Sequence, residues 1–395
     1  MPPKSREGTR VVACLFLVLF LGVADNQILS PLLPAIRAQF GKSSSEMGYL
    51  YSGYSFCAGF SVLLWGPLSD AFGRKRGLLH GLAIFAAGSC LAFLSANFLA
   101  LLTGRIIAGI GASMLSLNSI AYAADFFPYE NRGWAMGSIL SSYFAALILG
   151  VPLGAWLCDA FGWESVFGVI CGIALLLLVL CYCLLPATAR RADEAQRKPA
   201  REYVRQYIGF LRSQSSLAGL FCSFFASAGI MGFLAFLGTW LHDIFGISTS
   251  RIGLVFIASG GAAVLASPLA GSIADKIGKR LQFLLSSVCL AIFLFILPHL
   301  SWGIPLFLVM GLISLSAAFR QGPMEAVLTE IAGTATRGTF VALKNSFSQL
   351  GIGMATMLSG ILFEASGYKA VCVLGAALGL MAAISMLFTY RERHL

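Results

Sequence analysis

Apolar stretches long enough to cross a lipid bilayer recur along the whole sequence, separated by mostly short polar segments. A membrane-spanning helix needs about 20 consecutive, mainly apolar residues. We predict twelve such spans, at about 11–36, 46–66, 78–96, 99–124, 134–158, 164–186, 215–240, 251–272, 281–299, 302–325, 339–365 and 368–389. Only 11% of the residues are charged, whereas soluble domains carry about 25%. The sequence therefore predicts an all-α, multi-pass membrane protein.

The second half of the sequence repeats the first at a constant offset of 205 residues. The segment Gly66-Pro-Leu-Ser-Asp-Ala-Phe-Gly-Arg-Lys-Arg, between the second and third spans, has a close copy that begins at Gly271. The same offset relates residues in spans and loops alike: Gly48 to Gly253, Arg132 to Arg337, Asp159 to Glu364 and Gly162 to Gly367. A single offset of this kind indicates an internal duplication. We expect two six-helix bundles related by pseudo-two-fold symmetry, over 1–186 and 215–395, joined by a cytoplasmic linker over 187–214.

The basic residues are concentrated in alternate connections between the spans. If the N-terminus is cytoplasmic, 20 of the 27 Lys and Arg residues lie in cytoplasmic segments, four lie outside, and Arg105, Arg320 and Lys344 lie within spans. Cytoplasmic loops of membrane proteins carry such an excess. The distribution predicts that both termini are cytoplasmic. We expect the membrane to be a bacterial inner membrane. It also accounts for the net charge of +10 without any binding of nucleic acid.

The longest polar segment, 186–216, is basic and lies between the two halves. Its second part carries apolar residues at helical spacing, among them Tyr203, Tyr207 and Leu211. This pattern is compatible with an amphipathic helix on the membrane surface and equally with a solvated linker.

No pattern in the sequence indicates an enzyme, a metal centre or a cofactor. The four histidines have no paired metal spacing, and the ten cysteines are scattered singly through apolar runs. A phosphate-binding Gly-x-x-x-x-Gly-Lys-Ser/Thr loop is missing, which argues against ATP-driven transport.

The loop between the second and third spans carries the most specific motif of the chain. A short connection brings two antiparallel helices together, so we expect Gly66 to permit close approach and Gly73 a tight turn. The loop fits the pattern Gly-x-Leu-x-Asp-x-x-Gly-Arg-Lys/Arg with Gly66, Leu68, Asp70, Gly73, Arg74 and Lys75.

This motif, the twelve spans and the duplication together resemble the major facilitator superfamily, over the whole chain. The resemblance implies transport by that fold and a place for this loop in an inner gate. Asp70 is expected to pair with a cation of a neighbouring loop, with Arg132 a candidate, and Asp275 and Gly278 repeat the motif. The alternative is that the basic cluster only sets the topology.

Two charged residues inside the first half are candidates for proton coupling. Arg105 and Asp25 each lie within an apolar span, where a charge is costly unless it is paired or hydrated. By helix rise, Asp25 lies about 16 Å and Arg105 about 9 Å from the outer ends of their spans, so an ion pair between them is feasible. Arg105 stands in an Arg-x-x-x-Gly-x-Gly run similar to a motif that the family links to proton transfer. The alternative roles are a structural arginine and a helix-distorting polar cluster near Pro31.

The fifth span resembles the antiporter branch of the family. Gly150, Pro152 and Gly154 look like its antiporter motif, and Gly and Pro in a span permit a bend and close helix contact. Two departures are Val151, where the motif has Gly, and Glu164, where an Arg commonly follows. A packing motif is the alternative.

Other polar and aromatic residues are candidates for the wall of a substrate cavity. In the second half, Arg320 is a candidate partner for Glu325 or Asp25, while Lys344 can reach the interface at the end of its span. The full set of candidates is Asn26, Gln27, Asn118, Tyr122, Tyr143, Phe144, Phe233, Trp240, Arg320 and Glu325. Lipid-facing or packing roles are the alternative for each.

The function that these features favour is secondary active transport by rocking of the two halves around a midplane site. We expect proton-coupled efflux of a small amphipathic or polar compound. The expected partners are this substrate, protons and the bilayer, with the chain acting as a monomer without a cofactor. Alternatives of the same fold are a proton symporter and a sugar, siderophore or lipid transporter. A membrane receptor or scaffold is the alternative outside transport, but it has no need of charges inside the spans.

Overall fold

The computed structural model describes residues 6–186, 200–332 and 336–389, and this part of the chain is helical. The helices of the first half are α1 Arg6–Gln27, α2 Leu29–Phe40, α3 Ser44–Phe72, α4 Arg74–Phe93, α5 Phe98–Phe126, α6 Tyr129–Leu140, α7 Ser142–Ala145, α8 Val151–Phe161 and α9 Trp163–Leu184. A π-helical turn, Ala146–Gly150, connects α7 to α8. The later helices are α10 Ala200–Arg212, α11 Gln214–Phe245, α12 Thr249–Ile277, α13 Lys279–Ile296, α14 Ile304–Ile331 and α15 Arg337–Leu387.

These helices make twelve crossings, as the sequence predicts. Ten helical segments of the described chain are long and apolar enough to cross a membrane. The longest of them, α15, is interrupted at Gly367 (φ 73°) and makes two crossings. Helix α3, with 29 residues, is the remaining crossing, and its many serines and tyrosines reduce its apolar character. Several helices continue past the predicted span ends because their polar last turns extend beyond the apolar core.

The duplication is visible in matching turns and ion pairs. Gly73 and Gly278 stand between consecutive helices with nearly the same backbone angles, φ 96° and ψ 142° against φ 92° and ψ 137°. Only glycine adopts this conformation without strain, which confirms the predicted tight turn. Each turn is followed by a cation paired with a carboxylate at the same offset, Arg74 with Asp125 at 3.1 Å and Lys279 with Glu330 at 2.6 Å.

Small residues allow the helices within a bundle to approach closely. A Cβ at Gly111 would lie 2.5 Å from the backbone nitrogen of Phe85, and one at Gly104 would lie 2.8 Å from that of Ala92. Glycine at these positions thus permits α4 and α5 to pack backbone to backbone, as is common between membrane helices. Gly66 differs, because no atom lies within 4 Å of a Cβ placed there. The expectation that Gly66 permits close helix contact is therefore wrong for this conformation.

The two halves meet mainly at one end of the molecule. We call this the closed end, which contains the connections at 41–43, 94–97, 246–248 and 300–303, and we call the opposite end, with the turns at Gly73 and Gly278, the open end. Helix α3 packs against α15, α8 against α12, and α2 against α11. Since α2 is the closed-end part of the first crossing, the halves are joined most firmly away from the Gly73 and Gly278 turns.

Helix α10 confirms that part of the central segment is helical. Its Phe210 ring lies 5.1 Å from that of Phe340, and Thr339 donates a 2.7 Å hydrogen bond to Gln206. Val204, Ile208 and Leu211 remain exposed on its other side. The helix therefore packs against α15 at the open end. The preceding residues, 187–199, lie outside the described chain.

Candidate functional site

Asp25 and Arg105 form a sealed ion pair in the first half. Nη1 of Arg105 donates to both carboxylate oxygens of Asp25, at 2.7 and 2.8 Å. The side chains are 0% and 1% exposed. The geometry confirms that the two residues, 80 apart in the sequence, come into contact, because α1 and α5 lie side by side in the first bundle.

Aromatic rings complete the surroundings of the Arg105 guanidinium. Its central carbon lies 4.5 Å from the centroid of Tyr54 and 5.6 Å from that of Phe167. Its Nε and Nη2 atoms are buried and have no hydrogen-bond partner among the described residues. A Cβ at Gly109 would overlap the backbone carbonyl of Tyr54, so glycine permits α3 to lie this close to the pair. Arg105 therefore depends on Asp25 for its only described ionic contact.

A second intramembrane pair lies in the other half. Lys344 donates to both oxygens of Glu325, at 2.7 and 2.6 Å. The expected pairing of Glu325 with Arg320 is wrong, since the two side chains leave α14 on opposite sides. Lys344 is buried in this pair and does not extend to the helix end, which corrects the expectation for that residue as well.

Arg320 has no described carboxylate partner. Its Nη2 donates to the carbonyl of Ala226 at 2.8 Å, and its guanidinium lies 5.8 Å from the ring centroid of Phe283. The side chain is buried, and Nη1 lacks a hydrogen-bond partner among the described residues. The expectation that Arg320 pairs with Asp25 is also wrong, because Asp25 is held by Arg105 in the other bundle.

The motif around the Gly73 turn, at the open end, links four helices. Arg74 bonds Asp125 and also Oγ of Ser69 at 3.0 Å. Lys75 donates to the carbonyls of Tyr182 and Leu185 at 2.8 and 2.6 Å, where a cation is favourable at the end of a helix. The basic cluster thus holds α4 against α5 and α9 in addition to any role in topology.

The expected pair of Asp70 and Arg132 is not tested by these contacts. The side chain of Asp70 lies outside the described residues, and Arg132 donates to the carbonyl of Phe127 at 3.4 Å. The pairing stays a prediction.

The glycines of the antiporter-type motif face neighbouring helices. A Cβ at Gly150 would lie 2.7 Å from Cβ of Ala24, and one at Gly154 would overlap Ile28. Pro152 lies against Gly253 of the other half. The motif therefore joins the fifth crossing to the first within its bundle and to α12 across the halves, next to the π-helical turn.

Five of the expected cavity residues are buried inside the bundles in this conformation: Asn118, Tyr122, Phe233, Trp240 and Arg320. Asn118 bonds Ser69 and the Met114 carbonyl, and Tyr122 bonds the Pro186 carbonyl. These contacts are within one half, so these side chains do not line a space between the halves here. Asn26, Gln27, Tyr143, Phe144 and Glu325 remain at least partly accessible.

The closed end contains polar contacts between the halves that the motif analysis did not include. Glu364 accepts hydrogen bonds from the backbone N–H and the hydroxyl of Ser45, at 3.0 and 2.5 Å. Asp159 does the same for Ser250, at 2.8 and 2.5 Å. Both pairs connect a carboxylate of one half to the first turn of a helix in the other.

These two contacts are copies of each other. The offset of 205 that relates Asp159 to Glu364 also relates Ser45 to Ser250. The sequence could have identified these contacts, because a carboxylate at matching positions of both halves indicates a shared role. A third contact, the 2.6 Å ion pair of Arg37 and Asp243, has no counterpart at this offset.

Comparison with known proteins identifies a family whose profile matches most of the sequence. The profile described as Major Facilitator Superfamily matches residues 15–237 and 217–395. The MFS-type transporter YwfA of Bacillus subtilis is 28% identical, covering 96% of this chain and 92% of its own. The cis,cis-muconate transport protein of Acinetobacter baylyi is 25% identical over 99% and 97%. A probable sugar efflux transporter of Helicobacter pylori is 26% identical over 90% and 89%.

A solved structure has the same fold. The crystal structure of a D-xylose-proton symporter superposes with a TM-score of 0.79, covering 96% of this chain and 97% of that one, at 21% identity.

Proposed function

Because this chain belongs to the major facilitator superfamily and is a multi-pass membrane transporter, we propose that it couples the efflux of a small amphipathic or polar molecule to proton entry. The sealed pair of Asp25 and Arg105 is the observation that carries the proposal. Asp25 is the one carboxylate among the described residues that is wholly buried. A carboxylate within the membrane that can exchange a proton is what such coupling requires.

The contacts of Asp25 explain how proton binding would be linked to a change of conformation. Both of its oxygens accept from one nitrogen of Arg105, so a proton added to either oxygen removes an ionic contact of the pair. Arg105 then loses its only described ionic partner and is favoured to move toward water. Protonation of Asp25 therefore favours an arrangement in which Arg105 is hydrated, which the present conformation excludes.

The closed end supports alternating access. We propose that both termini are cytoplasmic in a bacterial inner membrane, so that the closed end faces outward and this conformation is open inward. The bundles 1–186 and 215–395 then rock about the linker 187–214. Outward opening must break the two serine contacts, those of Glu364 and of Asp159, together with the ion pair of Arg37 and Asp243.

The relatives leave two substrate classes to test first. One relative is described as a sugar efflux transporter and another as a cis,cis-muconate transport protein. The second description favours an alternative in which the same machinery carries an organic acid together with a proton. Sugars and cis,cis-muconate are therefore the first substrates to assay, with the pH gradient imposed in each direction.

Asp25→Asn tests the proton site. The variant fixes the neutral form, so we expect pH-gradient-driven transport to be lost while downhill exchange persists. Proton flux and substrate flux are measured together in proteoliposomes. The matched control is Glu7→Gln, which removes an exposed carboxylate from the same helix α1. Uphill transport by Asp25→Asn at the parent rate would show that Asp25 is structural.

The double variant Asp159→Asn, Glu364→Gln tests the closed end. Amides accept weaker hydrogen bonds than carboxylates, so we expect the closed end to open more often. Spin labels at exposed Ala96 and Lys369, in a cysteine-free background, report the distance between the halves. Glu164→Gln is the control because Glu164 accepts a hydrogen bond from Gln39 within its own half. An unchanged distance distribution would remove these carboxylates from the gate.

Asp70→Asn tests the inner gate motif. We expect impaired transport with normal membrane insertion, because Arg74, Lys75 and Arg76 still set the topology. Near-normal transport rates would limit the motif to its topological role.

The orientation of the protein in the membrane is tested with cysteines at Ala96 and Lys276, which should react with an impermeant reagent from outside and inside respectively.

A further inference from the structure

The pair of Glu325 and Lys344 lies on the space between the halves, near the open end. Glu325 is about 9 Å and Lys344 about 10 Å of helix rise from the open-end termini of α14 and α15. Tyr143, from α7 of the other half, is 40% exposed and within electrostatic range of Glu325. Glu325 is therefore near the opposite bundle, and Lys344 lies on α15, which packs against α3 of that bundle.

We propose that Lys344 anchors a carboxylate group of the transported substrate and that Glu325 occupies this position when no substrate is bound. This inference rests on the proposed transport function and names the class of substrate as small organic anions.

The first argument is the unequal exposure of the two partners. The Lys344 side chain is only 8% exposed, while that of Glu325 is 39% exposed. Glu325 can turn into water at little cost, since it already has access to it. Lys344 cannot, and a buried ammonium that loses its partner is strongly destabilised.

This inequality decides which kind of ligand the pair can accept. An incoming carboxylate that replaces Glu325 leaves Lys344 paired and Glu325 hydrated. A cationic ligand would draw Glu325 away and leave Lys344 buried without a partner. Exchange of one carboxylate for another is therefore the replacement that leaves no buried charge unpaired.

The second argument comes from the duplication. At the offset of 205 the first half has Ile120 in place of Glu325 and Ile139 in place of Lys344. Ile139 is fully buried, so this position in the repeat packs well with an apolar side chain. The fold does not require a charged pair here, which indicates that the second half acquired it for a ligand.

The electrostatics of the open end favour the same class of ligand. The sequence puts 20 of its 27 basic residues in segments assigned to that end. Charge of one sign around an entrance raises the local concentration of the opposite sign. The entrance therefore attracts anions toward Lys344.

The test compares acids with their neutral esters on purified full-length protein. Adipate and benzoate are paired with dimethyl adipate and methyl benzoate, and tetraphenylphosphonium is the cationic probe. Apparent Kd values come from the concentration dependence of the unfolding temperature in detergent. Lys344→Gln and Glu325→Gln are compared with the parent and with Lys42→Gln, which removes the cation of the closed-end pair with Glu46.

We expect the parent to bind at least one acid and not its ester. Lys344→Gln should weaken binding of that acid by about tenfold or more, the scale of losing a buried ionic contact. Glu325→Gln should strengthen it several-fold because the competing carboxylate is gone, and Lys42→Gln should leave it unchanged.

Other outcomes would overturn the inference. Binding of esters as tightly as acids, preference for the cationic probe, no binding of any acid, or full acid affinity in Lys344→Gln would each show that Lys344 is not an anion anchor. The proton-site proposal fails separately. Uphill transport by Asp25→Asn beside lost acid binding in Lys344→Gln would remove only the role of Asp25.

Discussion

In the first half, the intramembrane ion pair is buried away from solvent. In the second half, one ion pair is partly accessible, and one buried arginine has no carboxylate partner among the described residues. Asp25 and Arg105 are excluded from solvent, while Glu325 of the other pair is 39% exposed. Each of these charges stands where the other half has an apolar residue. By the offset of 205, Asp25 corresponds to Ile230, Arg105 to Met310, Arg320 to Leu115, Glu325 to Ile120 and Lys344 to Ile139.

This comparison teaches that the repeated framework and the intramembrane charges are separate features. The turns at Gly73 and Gly278 and the ion pairs beside them are kept in both halves, so they belong to the framework. The buried charges occur in one half each, so they belong to functions that the halves do not share. Replacing a charge by its counterpart from the other half therefore tests function with little disturbance of packing.

The largest effect is expected for Arg105→Met, the counterpart in the repeat. The variant leaves Asp25 buried without a cation, which costs about 3–5 kcal/mol when a buried ion pair is broken. We expect a large loss of folded protein, measured by size-exclusion yield and thermal unfolding in detergent.

The double variant Asp25→Ile, Arg105→Met is the control for that loss. Replacing a whole buried pair by apolar residues is often neutral or stabilising, so folding should recover while proton coupling stays absent. A double variant as unstable as Arg105→Met alone would contradict the independence of framework and charges.

A smaller effect, of opposite sign, is expected for Arg320→Leu. The variant removes a buried cation whose only described hydrogen bond is to a backbone carbonyl, and leucine is the residue of the repeat. We expect an unfolding temperature equal to or above that of the parent, with coupled transport retained. A clear loss of stability would show that the Ala226 contact contributes more than burial of the charge costs.

The double variant Glu325→Ile, Lys344→Ile should change stability less still. Glu325 is already partly hydrated, so the lost ionic contact is nearly offset by removing the free-energy cost of desolvating the two charges. Isoleucine is also the residue at both matching positions of the first half. Thermal unfolding should stay close to that of the parent while acid binding is lost. Retained acid binding would contradict the distinction between this pair and the sealed one.

The smallest change in stability is expected for variants of the ion pairs beside the two open-end turns. Lys279→Gln removes an exposed pair with Glu330, and such pairs contribute about 0–1 kcal/mol. Arg74→Gln should cost somewhat more because Arg74 also bonds Ser69. Urea unfolding of both variants checks the order, and an equal or reversed order would contradict the extra contact.

Much of the fold follows from local sequence patterns. The spans follow from apolar length, and the division into two related bundles follows from the duplication. The contact of Asp25 with Arg105 is feasible from the sequence, because a long arginine side chain can span the difference in depth between the two residues. The expected pairing of Arg320 with Glu325 failed, since a separation of five residues puts side chains about 140° apart on a helix.

The sequence by itself determined the twelve crossings, the repeat of the two halves, the tight turns at Gly73 and Gly278, and the presence of charges within the membrane. These depend on composition and spacing along one chain. Only the tertiary structure decided which charges are sealed and which face the other half, and that Glu364 and Asp159 hold serines across the closed end. Exposure and contact between halves depend on how the bundles pack, because a side chain's partner in another bundle is set by three-dimensional position and not by distance along the sequence.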